Sequence, residues 1–173
     1  MNAPLKLDEA AAVAGAAQRR QRQAEVVAAL SSTLPAHALL WHAEDTVPYE
    51  CDGLTAYREL PLVVVLPETE AQVAAVLRTC HRLSVPVVAR GAGTGLSGGA
   101  LPHTLGVTMS LAKFNKIVKL DARARTATVQ CGVRNLAISE AAAPLGLYYA
   151  PDPSSQIACT IGGNVAENSG GVH

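Results

Sequence analysis

Five of the chain's 14 glycines fall within Gly91–Gly99, inside the run PVVARGAGTGLSGGA that spans residues 86–100. A hairpin turn needs one or two glycines, so five in nine residues ask for another explanation. Glycine lacks a Cβ, admits positive φ and lets another group approach the backbone closely. Successive exposed N–H groups then form a concavity suited to an anion. Thr94 and Ser97 add hydroxyls, and a phosphate or pyrophosphate is the natural guest. Four more glycines fall within Gly162–Gly171. Ahead of them, Pro151 and Pro153 fix two φ angles in PDPSS, which presents the hydroxyls of Ser154 and Ser155. Thr160, Ile161, Gly162, Gly163 and Asn164 then offer further N–H groups, followed by Asn168, Gly170 and Gly171. Two donor-rich loops in one small domain suit a long ligand with phosphates at one part and a polar ring system at another. A flavin dinucleotide has both.

The type of phosphate ligand is a separate question. Gly93, Gly95 and Gly98 match G-x-G-x-x-G as a string. The dinucleotide fingerprint also requires a helix to open at the loop. Here the loop runs into GALPHTLG, whose Pro102 and Gly106 oppose a helix. Asp121 lies at a tolerable spacing for a ribose-binding acid, but in a turn between strands. A Rossmann site is therefore disfavoured. No G-K-[ST] occurs, so a Walker loop is excluded.

Composition removes other classes. The 173 residues carry 14 Lys+Arg against 14 Asp+Glu, without the basic surplus of a nucleic-acid binder. Apolar residues make up 49% and aromatics 3%, so Val, Leu and Ile form the core, with 31 Ala as spacers. No apolar run approaches the roughly 18–20 residues of a membrane span. Asp8 and Glu9 sit where a signal peptide carries positive charge. Cys51, Cys80, Cys131 and Cys159 form no close pair, which speaks against a metal site or a redox dithiol. They are expected to be reduced, mostly buried thiols of a cytoplasmic protein. His37, His42, His81 and His103 are expected to be ordinary surface or partly buried residues. No catalytic residue is identifiable.

The elements that must carry these loops are legible in part. Gln18–Leu30 reads as the better-formed part of an N-terminal helix, with Arg19, Arg20 and Arg22 on a solvated face. Residues 47–57 read as irregular. Leu62–Leu66 (LVVVL) is a strand between Pro61 and Pro67. Thr69 and Gln72 form a capping box for a helix whose apolar face is Val73, Val76, Leu77 and Cys80. Val85–Ala89 is a second strand, so this is a βαβ unit ending at the glycine loop. Gly106–Leu111, Ile117–Leu120 and Ala127–Cys131 are strand candidates, with a turn at Asp121–Arg123. Asn135–Ala143 reads as a helix ended by Pro144 and Gly146. Leu147–Ala150 reads as one more short strand and Thr160–His173 as a Gly/Asn-rich loop. The class is α+β: a βαβ unit followed by mixed short strands and helices.

At PVVARGAGTGLSGGALP and YYAPDPSSQIACTIGGNVAENSGGVH the sequence resembles the FAD-linked oxidases of the vanillyl-alcohol-oxidase type. Within that group it is most similar to flavin subunits of the bacterial glycolate oxidases and to D-lactate and D-2-hydroxyacid dehydrogenases. VPYECDGLTAYRELPLVVVLP fits the same subunits, so the resemblance covers about residues 47–173. The run APDPSSQIACTIGGNV is far more specific than a glycine pattern alone. The resemblance implies a two-lobed, PCMH-type FAD-binding domain. Residues 47–173 would supply its first lobe and the truncated start of the second, behind an N-terminal helical extension at 1–46. Arg90, Gly91, Ala92, Gly93, Thr94, Gly95, Leu96, Ser97 and Gly98 would wrap the pyrophosphate, mainly through backbone N–H groups. Pro151, Asp152, Ser154 and Ser155 would approach the flavin, as would Thr160, Ile161, Gly162, Gly163 and Asn164; Asn168 and Gly171 join the cofactor-binding set. Thr94 stands where family members with covalent FAD often carry His, which implies non-covalent FAD. His173 is a flavin-neighbour candidate.

The implied activity is oxidation of glycolate or a related D-2-hydroxyacid to the 2-oxoacid by hydride transfer to flavin. The implied partners are a second flavin-type subunit and an iron–sulfur subunit, with any membrane association running through them. Family chains continue past GGVH into a substrate domain, so the substrate residues are expected outside these 173 residues. Two alternatives stay open from the residues alone. One is a non-redox nucleotide- or phosphate-binding module; the other is an inactive fragment that binds no cofactor by itself.

Overall fold

The computed structural model describes residues 5–173, with side chains from residue 12 onward. The first four residues of the expected N-terminal extension lie outside the described residues. The first helix, α1 (Leu5–Leu30), starts well before Gln18. Its early turns are rich in Ala, the residue that forms helix at least cost. Val26 and Leu30, one turn apart, are fully buried. The arginines of α1 are not simply a solvated face. Arg19 donates to the carbonyl of Pro61 at 3.0 Å, and Arg22 donates to that of Leu83. Arg20 alone of the three is exposed. Gln23 Nε2 adds bonds to the carbonyls of Trp41 and Leu62. These long side chains tie α1 to backbone carbonyls in later segments of the chain, at Trp41, at Pro61 and Leu62, and at Leu83.

Strands β1 (Leu39–Leu40), β2 (Val63–Val65), β3 (Val87–Arg90) and β4 (Val107–Ser110) form one sheet in the order β1-β2-β4-β3. Strand β1 runs antiparallel to β2, whereas β2 and β3 both lie parallel to β4. The β2-to-β3 connection is therefore a βαβ crossover with β4 inserted between its two strands. All residues of β2 and β4 are buried, as expected for strands covered on both faces. Between α1's α2 successor (α2, Ala43–Thr46) and β2 the chain is mostly irregular, as residues 47–57 suggest.

The crossover helix α3 (Glu70–Arg82) has the expected capping box. Thr69 Oγ1 accepts from Gln72 N, and Gln72 Oε1 accepts from Thr69 N, both at 3.2 Å. Val76, Thr79 and Cys80 are buried. Leu77 is 43% exposed, so it falls outside the expected apolar face and Thr79 takes the inward place. The main core joins Val26, Leu30, Leu39, Val63, Val65, Val76, Cys80, Val107 and Met109. Residues before 47 thus share the core of the sheet that carries the glycine loop.

A second, two-stranded sheet pairs β5 (Ile117–Asp121) with β6 (Thr126–Val129). The turn falls at 122–125, later than Asp121–Arg123, because Asp121 Oδ1 accepts from Ala124 N and Arg125 adopts φ +53°. Helix α4 (Asn135–Ala142) ends in a 3-10 turn closed by Gly146. Leu147–Ala150 is not a strand. Ser139 of α4 accepts from Tyr149 N at 2.9 Å and donates to Tyr149 O at 3.3 Å, replacing a ladder partner. The expected loop after Thr160 begins instead with a short helix, α5 (Ile161–Ala166).

Candidate functional site

The two glycine clusters face each other across a cleft of about 670 Å³. That volume lies within the roughly 300–1,000 Å³ of small-molecule sites. One wall is the loop leaving β3. The other is built from Pro153–Ser155, Cys159–Thr160 and α5 with the residues after it. The second wall hangs on the segment after β6. Ile161 N donates to Val133 O, Gly162 N to Cys131 O and Asn135 N to Cys159 O.

Among the described residues, none of the backbone N–H groups from Gly91 to Ala100 donates to a protein acceptor. Ten successive donors therefore have no protein acceptor. The loop holds its shape from below. Arg90 Nη1 donates to Cys51 O at 2.7 Å, and the guanidinium lies 5.7 Å from the centroid of the Tyr49 ring. Gly93, at φ +70°, rests on that guanidinium; a Cβ there would stand 2.2 Å from Nη2. At Gly91 a Cβ would come within 2.4 Å of Thr160 Oγ1, so glycine is what lets the two walls meet.

Two polar groups of the second wall lack partners. Thr160 and Asn164 are 6% and 7% exposed and line the cleft. Thr160 Oγ1 and Asn164 Nδ2 are buried with no hydrogen-bond partner. An unsatisfied buried donor or acceptor costs about 1–3 kcal/mol, and these two belong to residues that line the cleft, where a polar ligand would offset that cost. With the open loop donors, this is a site fit for an extended molecule with an anionic part and a heteroatom-rich part.

Of the sequence-predicted residues, Arg90, Gly91, Ala92, Gly93, Thr94, Gly95, Leu96 and Ser97 line the cleft from the first wall. Ser154, Ser155, Thr160, Gly162, Gly163 and Asn164 line it from the second. Gly98, Pro151, Asp152, Ile161, Asn168 and Gly171 do not. Asp152 instead ties the chain end to the PDPSS turn. Its Oδ1 accepts from Val172 N at 2.9 Å, its Oδ2 meets His173 Nδ1 at 2.9 Å, and its own N–H donates to Gly170 O. The His173 backbone N–H, then its ring, hold the Asp152 carboxyl below the usual carboxylate range. His173 is thus engaged with Asp152, and it is not among the cleft-lining residues. Cleft residues outside the sequence reading include Cys131, Pro153, Cys159, Glu167 and Ser169. Pro153 lies inside the PDPSS turn, whose rigidity was a visible signal. Cys131 and Glu167 arrive through tertiary pairing, and no local pattern marks them.

The family model described as "FAD binding domain" matches residues 61–173. The chain is 62% identical over 148 residues to the glycolate oxidase subunit GlcD of Escherichia coli K12, covering 86% of this chain and 30% of that protein. It is 40% identical over 124 residues to the glycolate oxidase subunit GlcD of Bacillus subtilis 168, covering 72% and 26%. It is 42% identical over 112 residues to a D-lactate dehydrogenase of Anaerostipes hadrus, covering 65% and 23%. The chain therefore spans less than a third of the length of these relatives. Alkyldihydroxyacetonephosphate synthase superposes with a TM-score of 0.75 at 22% identity, covering 85% of this chain and 32% of that one. p-Cresol methylhydroxylase gives 0.68 at 24% identity, covering 84% and 29%, which supports the PCMH-type α+β fold. Glycine loop, facing wall and sequence agree: the chain belongs to the FAD binding domain family.

Proposed function

We propose that this chain is the FAD-binding part of a flavin-dependent oxidoreductase that converts glycolate or a related D-2-hydroxyacid to the 2-oxoacid. The observation that carries the reading is the cleft itself: ten unpaired loop N–H groups opposite two orphaned buried polar atoms. Identity of 62% to a glycolate oxidase subunit supports the substrate class. The residue set also fits FAD chemically. Gly91–Gly98 would hold the diphosphate by backbone N–H groups, with few formal charges needed. Thr160 Oγ1 and Asn164 Nδ2 would meet polar edges of the flavin half, and Pro153–Ser155 would limit water on that side.

The chemistry supplied by bound FAD is acceptance of a hydride from the hydroxyl-bearing carbon. This chain's share is to bind, orient and shield. Thr94 at the covalent-attachment place implies a dissociable cofactor, and no histidine is among the described residues lining the cleft. Residues 47–173 would form the first lobe of the FAD domain and the start of its second. By the same kinship, the chain works in an assembly, with a second flavin-type subunit and an iron–sulfur subunit carrying electrons onward.

The test uses the full-length protein. It should purify yellow, or turn yellow with FAD, and FAD should raise its melting temperature. Glycolate, D-lactate and D-2-hydroxyglutarate, added separately without oxygen, should bleach the flavin at different rates, and the fastest names the substrate. A colourless protein whose melting temperature ignores FAD sinks the reading.

A further inference from the structure

Glu167 is the carboxylate that reaches across the cleft to the glycine loop. It follows α5 directly, and its N–H donates to Gly163 O. Its Oε2 accepts from Ser97 Oγ at 2.5 Å. Its Oε1 lies against Gly99 so closely that a Cβ there would stand 2.3 Å away. The same oxygen would lie 3.5 Å from a Cβ on Gly95. The Glu167 carboxylate thus sits beside Gly95, Ser97 and Gly99 of the loop.

The proton count makes the contact informative. Ser97 has one hydroxyl hydrogen, and Glu167 takes it. In that state the hydroxyl can offer a phosphate only lone pairs. Glu167 also sets a negative charge among the donors that would receive the diphosphate. We propose that Ser97–Glu167 is an anionic latch: it ties the loop to the end of α5 and is exchanged for a diphosphate oxygen when an FAD-type ligand enters. On entry the Ser97 O–H turns from Glu167 to the phosphate, and the Glu167 side chain swings out to water. No covalent bond changes. The latch rests on the assignment of the loop to a diphosphate. It adds that the chain carries its own competitor, so affinity is set below what the donors alone would allow.

The test is a titration of full-length apoprotein, wild type and Glu167→Gln, with FAD, ADP and riboflavin. Glu167→Gln should tighten FAD and ADP about fivefold, the scale of removing one like-charge contact at a partly solvated site. Riboflavin, which has no phosphate, should bind both proteins equally. Ser97→Ala loses the latch and a donor together, so Glu167→Gln should add little on that background. Weaker or unchanged FAD and ADP binding by Glu167→Gln overturns the latch. So does an equal gain for riboflavin, which would mark a change in the cleft as a whole. If ADP responds as expected while FAD binds neither protein, the latch stands and the flavin reading falls.

Discussion

At the residue scale, the two orphaned polar atoms of the cleft wall separate a binding role from a structural one. A Val at 160 keeps the shape of Thr and removes the unpaired hydroxyl. The FAD-free Thr160→Val protein should therefore melt no lower than wild type, since no protein hydrogen bond is lost. Its FAD affinity should fall about tenfold, the equivalent of one hydrogen bond near 1.4 kcal/mol. Parallel melting and titration read both numbers, and a drop in melting point without a drop in affinity would make the hydroxyl structural. Asp152 gives a pH-dependent case. Its carboxyl is lowered by the His173 and Val172 groups it accepts from. A lowered acid contributes order above the usual aspartate range and loses it as pH falls through the lower, folded-state value. Hydrogen-exchange protection of Val172 and His173 should hold at neutral pH and fade in that acidic window. Asp152→Asn should be poorly protected at every pH.

At the scale of elements, legibility followed locality. The α3 cap was readable because Thr69 and Gln72 bond within four residues, and β2 because Pro61 and Pro67 bracket a β-branched run. The insertion of β4 between β2 and β3 was not readable, since strand order depends on distant pairing. Helix α5 was hidden by its own residues: Gly162, Gly163 and Asn164 are poor helix formers. It is held from outside, by bonds from Ile161 and Gly162 to Val133 and Cys131. The glycine loop was legible as a donor array, but its strut was not. Arg90 is expected in the loop that wraps the pyrophosphate; in the fold its guanidinium is spent on Cys51 O and the Tyr49 face. Arg90→Lys keeps the charge and loses the planar geometry that does both. It should weaken FAD binding about tenfold or more, the lower bound for a bond to a charged group near 1.5 kcal/mol. Hydrogen exchange of residues 91–99 should quicken while far-UV circular dichroism stays unchanged. If exchange in the loop does not change, the strut has no positioning role.

At the scale of the whole molecule, the question is where the domain begins. Sequence similarity to the family model starts at residue 61, and residues 1–46 are expected from sequence to be an extension. The core runs through both. Leu30 is fully buried with Val26 against Val63 and Val65, and β1 completes the sheet beside β2. With aromatics at 3% of the chain, few large side chains are available to replace what α1 contributes. Leu30→Ala should therefore cost about 2–5 kcal/mol, as for a leucine removed from a packed interior. An appendage would lose little, because surface substitutions usually stay within about 0.5 kcal/mol. The sheet that α1 covers also launches the glycine loop, so the loss should be linked to the cofactor. FAD at about 100 times its Kd should restore roughly 2.7 kcal/mol to wild type and variant alike if the native cleft is unaltered once folded. Denaturant melts of the full-length protein with and without FAD test this. Equal FAD gains would make α1 a stabiliser of the domain, whereas a smaller gain in Leu30→Ala would mean that α1 also shapes the cleft. No measurable loss from the substitution would return residues before 47 to the status of an extension.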